Sequence, residues 1–504
     1  MNKLEKKMKK RIDNNLNQFV KNPYSKPKKS FPLWGKVMIP VGGFLAAATA
    51  CLVVLLPLTA AKNGGYGGAQ DATQSEQIDK DTNMKEEATI NYNYLVQLRA
   101  PNYSKGSKTT DNEYSTDSAQ YKSFKQKMQV LSTKLTQYLI ESDFEENENI
   151  ALSPLSIELC LGLAARAAKE NTRKQILDAF DLDFATFDAY YKRYFMDIYN
   201  EKYSILTNSI WINNGVPLLS DALDDLRDDY YCYSYYADFF YHISETNKEM
   251  ADFVSRNTNN FLNPIFDFGP KTLFVLMNTV YWRDYWNEHG IDLSRTAENY
   301  KFKNSDDSVS NKTFYQAYYE EGKALSEEKY DSFYAVTCNG FKLHFIKAKN
   351  DNEIKDLMNE ETISYITNRS NYITQDDEKL EKYSTRCVFP EFAADYDEDI
   401  TPILQNKLNI TDLFNDSCDL TNLIDESKGK INAWADKCRH IAKIEVTKKG
   451  VEAAATTVID VPGQSSPGDY TYVYEDFVID NEFGFVLTYK DAIVFSGIVS
   501  NVDK

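Results

Sequence analysis

An alanine-rich segment lies where a strand should end, and few folds can use one there. Residues 441–447 read as a strand, and directly after them runs Lys448-Lys449-Gly450-Val451-Glu452-Ala453-Ala454-Ala455-Thr456-Thr457-Val458-Ile459-Asp460. Alanine is a poor strand former. At a period of two, however, one face carries Val451, Ala453, Ala455, Thr457, Ile459 and Val461, all uncharged, while Glu452 and Asp460 fall on the other. The stretch can enter a sheet without burying a charge; a small helix or an Ala-rich connector is the other reading of the same residues. It leads into Pro462-Gly463-Gln464-Ser465-Ser466-Pro467-Gly468-Asp469, which is loop and turn chemistry.

The opposite end of the chain carries a second strong signal. Val37 to Ala61 is an uncharged run of 25 residues, long enough as a helix to cross a hydrocarbon core of roughly 30 Å. Residues 1–36 hold eleven Lys/Arg against Glu5 and Asp13, a net of +9, which leaves −27 on the rest of a chain totalling −18. The basic leader places the N-terminus in the cytoplasm, 37–61 as a transmembrane anchor and the later residues outside the cell membrane. A cleaved secretory signal is the alternative, although leader and run are both long for one. Ala48-Thr49-Ala50-Cys51 hints at a lipoprotein site, but the apolar run continues past it through Leu52–Leu58.

Residues 62–117 are polar and read as a flexible linker. The glycines at 64, 65, 67 and 68 lack the GK[ST] of a phosphate loop. From Ser118 the pattern changes: Phe124, Met128, Leu131, Leu135, Tyr138 and Leu139 recur at helical spacing. Ser153-Pro154-Leu155-Ser156 opens a second helix over 157–168, apolar on nearly all sides and therefore expected at the centre of a domain. Residues 273–282, 386–389, 441–447, 483–489 and 492–499 read as strands. Residues 118–504 are expected to form one α+β domain with large antiparallel or mixed β-sheets surrounded by helices.

The usual enzyme signatures are missing. There are four His and no HExxH, GxSxG, Walker or strand-borne GxGxxG sequence, so the chain reads as no enzyme, with no metal and no cofactor. An acidic body disfavours a nucleic-acid partner. Cys160 reads as a small buried residue. Cys232, Cys338, Cys387, Cys418 and Cys438 could pair in an oxidising space, without spacing that chooses partners.

Several ordered landmarks together resemble the serpins, a family of serine protease inhibitors. Gly450-Val451-Glu452-Ala453-Ala454-Ala455-Thr456-Thr457 looks like the family's reactive-loop hinge. Asn149-Ile150-Ala151-Leu152-Ser153-Pro154-Leu155-Ser156 resembles the start of its buried central helix, and Leu276 through Trp282 with Trp286 its central-sheet strand. Phe389-Pro390-Glu391-Phe392, Leu408 through Phe414, Asp419-Leu420, His440 ten residues before Gly450, and Phe483-Gly484-Phe485 through Gly497 follow in order. The resemblance covers about residues 120–504. It implies the serpin fold with an exposed reactive-centre loop, a monomer, and a suicide mechanism: a protease cuts the loop, is held as an acyl-enzyme, and the hinge inserts as a new strand. About fifteen inserted residues would carry the enzyme roughly 50 Å. By resemblance, Ser153, Ser156, Asn278 and His440 form a shutter cluster under the sheet and Trp286 marks the breach where the hinge first enters.

Three departures stand out against the family. Lys448 occupies a position usually acidic, Val451 is larger than the usual Thr or Ser, and the loop is seven residues longer than the commonest length. Counting forward from Gly450 puts the reactive bond at Gln464-Ser465, the favoured reading, and counting back from Phe483 puts it near Thr471-Tyr472. On either count no Lys or Arg lies between Val451 and Tyr489. A trypsin-like pocket has nothing to grip, so the expected partner is a serine or cysteine protease of other specificity. A non-inhibitory serpin acting as a binding module is the competing reading. Asn-, Lys- and Tyr-rich composition with a basic leader suggests a bacterial source.

Overall fold

The computed structural model describes residues 46–57, 91–92, 94–104, 117–286, 291–292, 300–319, 324–368, 381–447 and 471–504. In chain order the first strands are β1 (Ala46–Pro57), β2 (Asn91–Tyr92) and β3 (Leu95–Arg99). Helix α1 (Ala119–Asp143), β4 (Ile150–Leu152) and helix α2 (Pro154–Ala167) follow. Further helices alternate with β5 (Ser204–Asn213), β6 (Cys232–Ala237) and β7 (Thr272–Asp284). The second half is richer in strands: β8 (Ile291–Asp292), β9 (Phe302–Lys303), β10 (Val309–Ser310), β11 (Phe314–Tyr319), β12 (Ala324–Ser326), β13 (Tyr330–Val336) and β14 (Lys342–Ala348). It closes with β15 (Glu381–Pro390), β16 (Phe392–Asp399), β17 (Cys438–Val446), β18 (Thr471–Val478), β19 (Phe483–Tyr489) and β20 (Ala492–Val499).

The largest sheet has the order β16-β17-β1-β7-β5-β6-β3-β2. A second runs β12-β13-β14-β19-β20-β4, and a third β18-β15-β11-β8. This is the α+β architecture with mixed sheets that the residue pattern predicts. Each strand read from the sequence after residue 270 is present, β19 and β20 over the predicted residues. Both are buried on both faces, which is why they read as continuous apolar runs. Between them Lys490 and Asp491 make a two-residue turn, both at positive φ (48° and 72°), as a tight hairpin following the sheet twist requires.

Helix α2 is the centre of the domain. Ser153 caps it by accepting from the Ser156 N–H, and Pro154 occupies the first turn, where its missing donor costs nothing. Every α2 residue except Arg166 is buried. The helix lies between the main sheet and β20, with α1 packed beside it. Its Gly162 faces the ring of Tyr191 so closely that a Cβ would sit 2.5 Å from Cε2.

Two stretches differ from the sequence expectation. The membrane helix expected over 37–61 is not what 46–57 form: these residues are strand β1, antiparallel to both β17 and β7. The composition Ala-Ala-Ala-Thr-Ala-Cys-Leu-Val-Val-Leu-Leu-Pro explains why a strand is open to them. It is uncharged at both strand parities, half of it is β-branched or bulky, and Pro57 comes last, where a missing N–H is tolerated after a register shift at Leu56/Pro57. Among the described residues no helix is long and apolar enough to cross a membrane. Inside the expected linker 62–117, Leu95–Arg99 form β3 on β6, with Leu95 buried. No disulfide joins the described cysteines, and Cys160 is buried in α2 as expected.

The β4–β20 pairing leaves no room for a side chain at Gly497. A Cβ on Gly497 would lie 1.9 Å from the Ile150 carbonyl oxygen and 2.8 Å from the Phe485 ring. Gly497→Ala should therefore cost on the order of 3 kcal/mol through strand displacement. The urea midpoint measures this, and a loss below about 1 kcal/mol would contradict the close pairing.

Candidate functional site

Between β17 and β7 the main sheet has a position for one strand, and β1 occupies it. β1 starts with Ala46 opposite Val446 of β17 and Asp284 of β7, and runs to Val54 opposite Cys438 and Leu276. Every hydrogen-bonding group on the inner edges of β17 and β7 faces this position, so its occupant decides whether those groups are satisfied.

Near mid-strand, Leu52 is in register with both His440 and Asn278. Residues directly opposite in an antiparallel ladder share a face, so the two polar side chains flank the same β1 position on the α2 side. His440 Nε2 accepts from the Ser153 N–H at 3.0 Å, which leaves the proton of the neutral ring on Nδ1. Ser153 Oγ donates to the Val494 carbonyl at 2.8 Å and accepts from the Ser156 N–H at 3.3 Å. Asn278 Nδ2 donates to Asn208 Oδ1 at 2.8 Å. Asn208 Nδ2 in turn donates to the Tyr230 carbonyl at 2.7 Å and Tyr191 Oη at 3.1 Å. All four predicted residues, Ser153, Ser156, Asn278 and His440, are fully buried. Ser153, Ser156 and His440 are thus joined directly, whereas Asn278 belongs to a second chain of bonds across the β1 position. Asn278 Oδ1 and Ser156 Oγ have no partner among the described residues.

The end of the slot nearest Ala46 is organised by Asp284, which sequence reasoning passed over. It accepts from Thr337 Oγ1 at 2.5 Å, the Asn339 N–H at 2.9 Å, Asn339 Nδ2 at 2.6 Å and the Tyr285 N–H at 2.7 Å. Two residues on, Trp286 is 2% exposed, bridges Thr337 and meets Phe389 edge-on at 5.4 Å between ring centroids. Asn208 was missed as well. Its one sequence signal is an amide inside an otherwise apolar strand pattern, which must find partners when buried.

The hinge Gly450, Val451, Glu452, Ala453, Ala454, Ala455, Thr456 and Thr457, Lys448, and the bond Gln464-Ser465 lie outside the described residues. The alternative bond Thr471-Tyr472 lies at the start of β18, which pairs in parallel with β15 through Glu381↔Thr471 and Lys382↔Tyr472. Further along this pair, Arg386 Nε donates to Asp476 Oδ1 at 3.0 Å. The segment 447–470 thus leaves from the end of β17 and returns into an anchored strand.

A family model described as Serpin (serine protease inhibitor) matches residues 126–502. The chain belongs to the serpin family. Human neuroserpin is 24% identical over 372 residues, covering 70% of this chain and 86% of that protein. Serpin-ZX of Arabidopsis thaliana is 25% identical over 381 residues, covering 71% and 92%. Among solved structures, the native stressed conformation of Arabidopsis AtSerpin1 superposes with TM-score 0.61 at 21% identity, over 77% of this chain and 100% of that one. The thermophilic serpin tengpin in its native state gives 0.59 at 20% identity, over 77% and 96%. The fold of this chain is the serpin fold, and serpins are in general protease inhibitors rather than enzymes.

One buried acid in this serpin sits close to the cluster without joining it. Glu158 of α2 accepts from Ser132 Oγ at 2.6 Å and Tyr194 Oη at 3.4 Å. Burial pushes its carboxyl up to about 8, against the lowering effect of both hydrogen bonds. The folded state therefore holds this proton more tightly than the unfolded chain. The group's stabilising effect is fully present below about 4.5 and is lost as pH rises toward about 8. Glu158→Gln keeps the volume and removes the titration. Between pH 5 and 8 the variant should lose less stability than the native chain, by on the order of 2 kcal/mol. Urea unfolding at the two pH values reads the difference, and parallel losses would contradict this account of Glu158.

Proposed function

We propose that this serpin is an extracytoplasmic suicide inhibitor of serine endopeptidases and, through the same acyl chemistry, of cysteine ones. The observation that carries the reading is the single-strand position between β17 and β7, with the hinge following β17 directly. The protease nucleophile attacks the Gln464 carbonyl and expels the Ser465 amine, leaving the enzyme esterified to the loop. The hinge 450–457 then turns back along β17, its uncharged face toward α2. If each new backbone bond nets on the order of 1 kcal/mol, insertion yields roughly 10 to 20 kcal/mol, enough to distort an attached active site.

The Gln464-Ser465 bond is favoured over Thr471-Tyr472 because the latter is held in the β15–β18 ladder, where a protease cannot wrap an extended substrate around it. Without Lys or Arg from Val451 to Tyr489, the targets are elastase-, subtilisin- or chymotrypsin-like enzymes. Ser153, Ser156, Asn278 and His440 act as the shutter through which β17 and β7 part, and Trp286 lines the breach. When 46–57 leave the sheet, the run 37–61 would anchor the chain in a cell membrane, with residues 1–36 cytoplasmic and the serpin domain outside; a bacterial envelope suits this composition. A non-inhibitory binding role is favoured by one observation, that the slot already holds β1.

Incubating the full chain, incorporated into phospholipid vesicles, with subtilisin-, elastase-, chymotrypsin- and trypsin-like proteases separates these readings. A denaturant-resistant covalent complex should form with one or more of the first three and not with the last. Val451→Arg places a charge on the inserting face and should cut complex yield at least tenfold while the loop is still cleaved. Undiminished trapping by this variant would rule out hinge insertion.

A further inference from the structure

The occupant of the slot comes from the wrong end of the chain. If the hinge turned back tightly at Lys448-Lys449, Val451 would fall opposite Val446, Ala453 opposite Ile444, Ala455 opposite Ala442 and Thr457 opposite His440. β1 sets Ala46, Ala48, Ala50 and Leu52 against those same four residues. It also runs in the direction the hinge would take, antiparallel to both β17 and β7. On that face both sequences are uncharged: Ala46, Ala48, Ala50, Leu52 and Val54 of β1 stand where the hinge would place Val451, Ala453, Ala455, Thr457 and Ile459. The tetrapeptide Ala46-Ala47-Ala48-Thr49 recurs as Ala453-Ala454-Ala455-Thr456, two positions out of step with that register. On the opposite face β1 carries Ala47 and Leu55 where the hinge carries Glu452 and Asp460, so it enters with no charge at all.

We propose that residues 46–57 are an internal plug that competes with the reactive-loop hinge for the single strand position between β17 and β7. The proposal rests on the loop-insertion reading above and specifies how that insertion is controlled. With the plug docked, the inner edges of β17 and β7 are already paired, and a cleaved loop has nowhere to go. The chain is then a substrate, not a trap. With the apolar run held elsewhere, in a bilayer, the slot opens and trapping becomes available. Leu52 in place of Thr457 gives the plug more apolar surface to bury at mid-strand than the hinge has, so the plug is a competent rival rather than a weak stand-in. The buried Asn278 Oδ1, which has no partner among the described residues, marks the other state. It flanks the β1 position opposite His440, and closure of β17 onto β7 would bring it toward the Nδ1–H of that ring.

The register supplies the test. Cys51 is opposite Ile441, and paired positions in an antiparallel ladder lie about 4.5–5.5 Å apart at Cα, within the roughly 4.4–6.8 Å a disulfide spans. The full chain carrying Ile441→Cys, oxidised mildly in lipid-free solution, should form a bond from position 51 to position 441, read by peptide mass mapping. Oxidised protein should then give at least tenfold less covalent complex with a subtilisin-like protease than the same protein after reduction and incorporation into phosphatidylcholine–phosphatidylglycerol vesicles. Absence of the cross-link in a chain that still traps protease would overturn the plug and leave loop insertion standing. A cross-linked chain that traps as well as the reduced one would overturn the competition. Failure to trap in either state would sink loop insertion and the competition with it, while the cross-link alone would still report whether 46–57 dock.

Discussion

The structure depends on one constraint: the inner edges of β17 and β7 must be hydrogen-bonded to something. A buried N–H or carbonyl left without a partner costs about 1–3 kcal/mol, and these edges run much of the length of both strands. The two strands can meet each other, or accept a third strand between them. No arrangement leaves the edges bare. This turns a gap in a sheet into a switch, because whatever strand satisfies the edges excludes every other.

In the proposed mechanism the polar cluster beneath the sheet is what would make that choice reversible. Among the described residues, Ser153, Ser156 and His440 are bonded on one side, and Asn278 with Asn208, Tyr191 and Tyr230 on the other. The bonds within each group survive separation of the strands, and only a contact between Asn278 and His440 would have to be given up. The Asp284 cluster plays the corresponding part at the end of the slot, holding the last turn of β7 against Thr337 and Asn339.

Much of this was legible in the sequence, for stated reasons. The α2 cap and the apolar strands β7, β17, β19 and β20 all carry patterns that one physical rule reads directly. That 46–57 form a strand was not legible, because a uniformly apolar run has no periodicity with which to separate a membrane helix from a strand. β3 was too short to stand out from the polar residues around it. Asn208 and Asp284 were hidden for another cause: their importance lies in partners from distant elements, such as Tyr230 and Asn339, which no local pattern reveals. The uncharged face common to 46–54 and 451–459 was present in the chain, but only the register of β1 on β17 showed that the two would take the same positions.

The most direct test of the account is hydrogen exchange of the intact protein in lipid-free solution, following peptides from 46–57 and from 450–461 in the same samples, before and after loop cleavage. One slot admits one strand, so slow exchange in either peptide must coincide with fast exchange in the other. Strong protection of both peptides in one population of molecules would contradict a single shared position between β17 and β7.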